Sequence, residues 1–308
     1  MKWTPADMPS LKGRIAVVTG ANSGLGLHTA AGLAQAGAEV VMACRNPDKA
    51  ARALAEVRAQ APGAKVEVMP LDLADLASVR AFAAAFKARY PRLDILCNNA
   101  GVMAVPYAKT KDGFEMQVGT NHLGHFALTG LLLDALKAAP AARVISVASQ
   151  AHRWTRAMDL DDPFFERKPY QRWDAYGKSK LANLLFMFEL DRRLRQAGAP
   201  VIAAAAHPGY SDTNLQYVAP QLEKSAFSSL MMKVGNAILA QPAAMGALPT
   251  LYAASMADVA GGDYIGPDGF QQMRGYPTKV GCRALARNQD LQGRWWALSE
   301  KLTGVQYP

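Results

Sequence analysis

The run Arg14-Ile-Ala-Val-Val-Thr19, followed by Gly20-Ala-Asn-Ser-Gly24-Leu-Gly26 and a helix-like stretch through Gly37, leaves the chain few ways to fold. The β-branched run suits a central parallel strand buried on both faces. The glycine turn then delivers it into a helix whose free backbone N–H groups and positive end face a phosphate. Glycine lets a ligand approach the backbone where a β-carbon would collide. At the first strand-to-helix joint of a chain, this arrangement predicts a dinucleotide site.

The alternation continues. Strand Glu39–Ala43 runs into Cys44-Arg45; helix Pro47–Gln60 and strand Lys65–Leu71 follow, with Asp72-Leu73 just beyond. Helix Leu76–Tyr90 leads to strand Leu93–Cys97 and the tip Asn98-Asn99-Ala100-Gly101. A helix over Gly113–Ala138 carries Asn121 in its middle, and strand Arg143–Ala148 ends at Ser149. Strand Pro200–Ala206 ends in His207-Pro208-Gly209 with Thr213 after it; helix Gln241–Ser255 and a final short strand at Tyr264-Ile265 close the pattern. Such alternation predicts an α/β fold, a doubly wound and mostly parallel Rossmann-type sheet. It forms a single domain over residues 11–308, after an amino-terminal extension of residues 1–10. The polar and glycine tips all stand at carboxyl ends of strands, the edge where open parallel sheets bind ligands. An NAD-selective site places an acid at the end of the second strand, whereas an arginine accommodates the 2′-phosphate of NADP. Arg45 fills that place, so NADP(H) is expected to be preferred, with NAD(H) also open.

Tyr176-Gly-Lys-Ser-Lys180 lies near the start of a periodic helix from about Asp174 to Ala197, where residues four apart share a face. A phenol beside an ammonium is a proton-transfer device, since an opposite charge lowers the phenol's pKa. Tyr107 and Lys111 repeat the spacing, but in a polar segment closed by the Asp112-Gly113 turn signal.

Other features narrow the function. The formal charge of +9 is dispersed, with no run of five basic residues, which argues against nucleic acid and fits an anionic cofactor. Cys44, Cys97 and Cys282 are odd in number and widely spaced, which suggests neither a disulfide framework nor a zinc site and fits a reducing compartment. His122 and His125 have no third ligand beside them; they read as packing or hydrogen-bonding residues, with no metal expected. The uncharged stretch Val234–Ala257 is interrupted by Pro242, Pro249, Asn236 and Gln241, so no membrane span is expected. With a polar amino terminus, a cytoplasmic location is expected. Gln150–Arg172 reads as an ordered excursion over one end of the sheet, and residues 214–239, rich in Leu, Met and Phe, as an apolar substrate lid.

In order, Thr19-Gly20-x-x-x-Gly24-x-Gly26, Asn98-Asn99-Ala100-Gly101, Asn121, Ser149, Tyr176-x-x-x-Lys180 and Pro208-Gly209 with Thr213 resemble the short-chain dehydrogenase/reductases, from about Leu11 to Gly266. Thr120-Asn121-His122-Leu123-Gly124-His125-Phe126 and Tyr176–Asn183 are similar to the branch holding retinol dehydrogenases, WW-domain oxidoreductases and protochlorophyllide reductases. The resemblance implies hydride transfer between nicotinamide and an apolar alcohol, aldehyde or ketone. Tyr176 would be the general acid or base, and Ser149 would hydrogen-bond the substrate oxygen. Lys180 would hold the nicotinamide ribose and lower the Tyr176 pKa, and Asn121 would fix a water reaching Lys180. Gly20, Asn22, Ser23, Gly24, Leu25 and Gly26 would line the pyrophosphate, Arg45 would meet the 2′-phosphate, and Asp72 and Leu73 the adenine. Asn98 to Gly101 would serve the ribose region, and Pro208, Gly209 and Thr213 the nicotinamide amide. The family's habit of pairing through the Tyr176 helix leaves a homodimer or homotetramer open. So do two other functions: a non-catalytic NADPH-binding regulator, and a carbon–carbon double-bond reductase.

Overall fold

The computed structural model describes residues 2–211 and 240–307; Thr213 and the expected lid over residues 214–239 lie outside the described residues. Strands β1 (Ile15–Thr19), β2 (Glu39–Cys44), β3 (Val66–Pro70), β4 (Ile95–Asn98), β5 (Ala142–Val147), β6 (Val201–Ala206), β7 (Tyr264–Pro267) and β8 (Pro277–Lys279) form one sheet. Their order is β3-β2-β1-β4-β5-β6-β7-β8, parallel throughout except for the antiparallel β7–β8 pair. From β1 the chain winds outward through β2 and β3, then crosses back to β4. Between β1 and β4, where the direction reverses, a crevice opens at the carboxyl ends.

Helices cover both faces. On one side α1 (Gly24–Gln35), α2 (Pro47–Gln60) and α8 (Ala243–Ser255) bury Leu33, Val57 and Leu251 against Val18, Val40 and Met42. On the other, α3 (Leu76–Arg89), α5 (Gly124–Leu131), α7 (Arg172–Gln196) and α9 (Gln289–Thr303) bury Phe86, Phe126, Leu185 and Trp296 against Val17, Leu96 and Val144. Local chemistry sets several boundaries. Asn46 caps α2 by accepting from Lys49 N, with Pro47 at the first turn, and Asp75 caps α3 by accepting from Ala77 and Ser78 N. Trp3, from the amino-terminal extension, is buried edge-on to Tyr252, with ring centroids 5.2 Å apart.

The structure departs from the sequence pattern in two places. The helix expected over Gly113–Ala138 is divided into α4 (Met116–Val118), a π-helical turn at Gly119–Leu123, α5, and α6 (Leu133–Lys137). In the wide turn Gly124 N bonds Gly119 O. Both glycines sit where a β-carbon would strike a neighbour, Thr110 Cγ2 at 2.5 Å for Gly119 and Leu73 O at 2.5 Å for Gly124, so close packing holds the turn in place. Nor is Tyr264-Ile265 the final strand, since β8 and α9 follow it. Asn288 caps α9 by accepting from Leu291 N, and Gly304 ends it at φ 64°. Trp296 of α9 stacks on Phe186 of α7 at 5.8 Å and meets Phe126 edge-on at 5.1 Å.

No helix of the described residues is long and apolar enough to cross a membrane, and among them no cluster of His, Cys, Asp or Glu could hold a metal ion.

Candidate active site

A cavity of about 990 Å³ opens over the carboxyl edge of the sheet. Its wall includes Gly20, Asn22, Ser23, Gly24, Leu25, Gly26, Arg45, Asp72, Leu73, Asn99, Ala100, Gly101, Ser149, Tyr176, Lys180, Pro208 and Gly209. The crossover at β1–β4 and the helices α1 and α7 thus gather residues separated by up to nearly two hundred positions. Asn98 and Asn121 lie beneath this wall rather than on it, 2% and 0% exposed.

At the glycine turn, Gly20 has φ +65°, and a β-carbon there would stand 2.9 Å from Ala100 Cβ. On Gly26 it would stand 2.4 Å from Gly20 O, because α1 starts directly against the turn. The result is a cradle of bare backbone at a helix N-terminus, which fits the pyrophosphate of a dinucleotide. Arg45 follows β2 with its side chain 71% exposed, 4.0 Å from Asp72 Oδ1.

A hydrogen-bonded hub beneath the turn was not legible in the sequence. Thr19 Oγ1 accepts from Asn99 N and Ala100 N, both at 2.9 Å, and lies 2.9 Å from His125 Nε2. His125 Nδ1 is 2.9 Å from Asn121 O, an atom that can only accept, so the proton sits on Nδ1 and Nε2 accepts from Thr19. Burial pushes the His125 pKa down to about 4, which keeps the ring neutral. His122 Nε2 bonds Ser299 Oγ of α9 at 2.9 Å, and burial lowers its pKa to about 3. Both histidines are hydrogen-bonding core residues, as their sequence context suggests. The signal for the hub, a threonine ending β1 opposite a histidine four residues after Asn121, becomes visible only once β1 and the π-turn are neighbours.

Asn121 faces α7. Its Nδ2 donates to Val102 O and Ser179 Oγ, both at 2.9 Å, and its Oδ1 accepts from Val102 N at 2.7 Å. Lys180 Nζ donates to Val147 O at 3.0 Å and stands 5.8 Å from the centre of the Tyr176 ring. A β-carbon on Gly101 would fall 2.9 Å from Asn121 Oδ1 and 3.6 Å from Lys180 Nζ, so these groups enclose one small volume. Burial pushes the Lys180 ammonium down to about 8. It pushes the Tyr176 phenol up to about 12, against a smaller opposing effect from the Ser149 side chain. The expected lowering of the Tyr176 pKa by Lys180 is not what the folded protein shows: desolvation dominates both groups, which are 6% and 3% exposed, and both charged forms lose water. Ser149 lies two residues past β5 and caps the following turn, its Oγ accepting from Ala151 N at 3.2 Å and its carbonyl from His152 Nδ1 at 2.6 Å.

The wall also contains Gln150, Trp154, Trp173, Gln271, Gln272 and Met273, none assigned a role from sequence. Trp154 and Trp173 meet edge-on at 5.9 Å, and Trp173 meets Tyr176 edge-on at 6.3 Å. Trp154 of the excursion after Ser149 and Trp173 at the start of α7 therefore form an aromatic border leading to the phenol.

Comparison with known proteins agrees with this geometry. Residues 14–159 match the family model described as short chain dehydrogenase. Retinol dehydrogenase 13 from Homo sapiens is 39% identical over 302 residues, covering 97% of this chain and 87% of that protein. A crystal structure of an uncharacterized protein from Mycobacterium paratuberculosis is 45% identical with a TM-score of 0.82, covering 100% of each chain. The Pseudomonas aeruginosa RhlG/NADP active-site complex is 26% identical with a TM-score of 0.63, over 83% of this chain and 94% of that one.

Proposed function

Because the chain belongs to the short-chain dehydrogenase/reductase family of nicotinamide-dependent oxidoreductases, we propose that it is a cytoplasmic, NADP(H)-preferring enzyme interconverting apolar alcohols with their aldehydes or ketones. The observation that carries the reading is the buried Tyr176–Lys180 pair, sharing one cavity with Ser149 and the glycine cradle. When bound, the nicotinamide supplies or takes up the hydride. The bare backbone of Gly20 to Gly26 suits its pyrophosphate, and Arg45, with no acid at that strand end, suits a 2′-phosphate. The NADP complex of RhlG supports the same preference.

Tyr176 is the group that gives a proton to the carbonyl oxygen in reduction and takes it back in oxidation. A phenol with its pKa near 12 is a reluctant base, so a cation close by in the working complex is needed to lower it. Lys180 is the cation at hand, steadied by Val147 O and boxed in by Asn121 and Gly101. Ser149 offers its hydroxyl to the same substrate oxygen, where negative charge grows in the transition state. Trp154 and Trp173 favour an apolar body beside the reacting carbon.

Replacing Tyr176 with Phe tests the assignment. NADPH affinity should stay within about twofold while kcat falls by at least roughly 100-fold, the low end for general acid–base catalysis. A Phe variant that retains full turnover would remove Tyr176 from the chemistry.

A further inference from the structure

We propose that Gln272 is a specificity-determining residue whose amide nitrogen is a fixed hydrogen-bond donor on the cavity wall, selecting substrates that carry a second acceptor oxygen away from the reacting carbon. This rests on the carbonyl and alcohol chemistry proposed above and deepens it to a class: hydroxyketones, diketones, keto ethers and their alcohols.

The orientation of the Gln272 amide follows from proton polarity on two sides. His207 is buried at the end of β6, and its Nδ1 accepts from Gly209 N at 3.2 Å. The neutral ring therefore carries its proton on Nε2, which donates to Gln272 Oε1 at 3.2 Å. Burial lowers the His207 pKa to about 3, which keeps the ring in this neutral form. From the other side Gln150 Nε2 donates to the same oxygen. Gln150 is itself held one way round, since Arg153 Nε donates to Gln150 Oε1 at 2.7 Å while Arg153 Nη2 is anchored on Gly281 O at 2.6 Å. An arginine can only donate, so Gln150 turns its oxygen to Arg153 and its nitrogen to Gln272. Both chains of donors end on Gln272 Oε1. The NH2 group is left as the free end of the amide, and among the described residues it has no acceptor.

The backbone supports the same conclusion. Gln271 and Gln272 have φ of 48° and 58°, consecutive non-glycine residues in the left-handed region, and both line the cavity. Gln272 N on Gly269 O at 2.9 Å and Tyr210 N on Met273 O at 2.8 Å hold them there. Backbone strain of this kind gathers where a side chain must be aimed. An NH2 group cannot accept, so its partner on a substrate is an ether, carbonyl or hydroxyl oxygen.

The test compares octanone with octanediones of different carbonyl spacing in wild type and in Gln272→Glu. That variant keeps one oxygen for His207 and Gln150 and turns the free end from donor to acceptor. The readout is the ratio of kcat/KM for dione over monoketone within each protein, so any loss of folded enzyme cancels. At least one dione should be preferred by roughly 3- to 10-fold in wild type, the range for one neutral hydrogen bond, and the preference should vanish or invert in Gln272→Glu. No dione preference in wild type, or one that survives the substitution, overturns the proposal. A weaker NADPH affinity in Gln272→Glu that accounts for the change would also overturn it, by moving the contact to the cofactor. If neither compound turns over, carbonyl reduction itself fails. Calorimetry on the NADP+-loaded proteins then decides the donor assignment alone: tighter dione binding in wild type than in Gln272→Glu supports it, and equal Kd values refute it.

Discussion

Replacing Thr19 with Val removes one hydroxyl from beneath the cofactor turn at nearly constant volume, so its cost measures hydrogen bonds rather than packing. Oγ1 is the acceptor for Ala100 N, shares Asn99 N with Cys97 O, and donates to His125 Nε2. In the valine variant Asn99 N falls back on Cys97 O, 2.9 Å away, while Ala100 N and the His125 lone pair lose their partner. An orphaned buried polar group costs about 1 to 3 kcal/mol, and Ala100 borders the cavity, so the sum is about 3 kcal/mol. For a chain of this length each kcal/mol moves the melting temperature by roughly 2 °C, which gives a drop of about 6 °C. Urea unfolding should show a lower midpoint at unchanged slope. NADPH affinity should fall as well, because Asn99 and Ala100 line the cavity and both hang from this hydroxyl. Thr19→Ser, which keeps the hydroxyl, should recover most of both losses. A valine variant as stable as wild type, or a serine variant no better than valine, would refute the hub.

Arg45→Ala should weaken NADPH by at least ~10-fold, about 1.4 kcal/mol, and leave NADH roughly unchanged in paired fluorescence titrations; equal losses for both would sink the phosphate contact. The variant should barely alter stability, since the 4.0 Å pair with Asp72 is exposed. Acid should destabilise the protein before its carboxylates titrate. Burial lowers His122 and His207 to about 3, and His125 and His152 to about 4, from the ordinary histidine value of 6.5. Below about pH 6.5 the unfolded chain binds protons that the folded chain refuses, so stability present above that pH is lost as pH falls toward about 4. Urea midpoints that stay flat from about pH 7 to about pH 4 would contradict this reading.

Much of the protein was already written in one dimension. Glycine at a strand-to-helix joint, β-branched runs buried on two faces and capping residues such as Asn46 and Asp75 act over a few residues, and local sequence reports them directly. The α/β alternation and the parallel sheet could be read that way, whereas the expectation that Tyr176, Lys180, Ser149 and the glycine turn share one site came from the resemblance of the ordered motifs to a known family. Tertiary structure decided what depends on contact between distant segments. It opened the helix around Asn121 into a π-turn, because Gly119 and Gly124 press against Thr110 and Leu73. It brought α9 onto Phe126 and Phe186, joined Thr19 to His125 across 106 positions, and aimed Gln272 by donors from β6 and the Ser149 turn. It also set the balance at Tyr176. Four-residue spacing puts an ammonium near a phenol, but how much water each loses depends on everything packed around them, and here desolvation prevails.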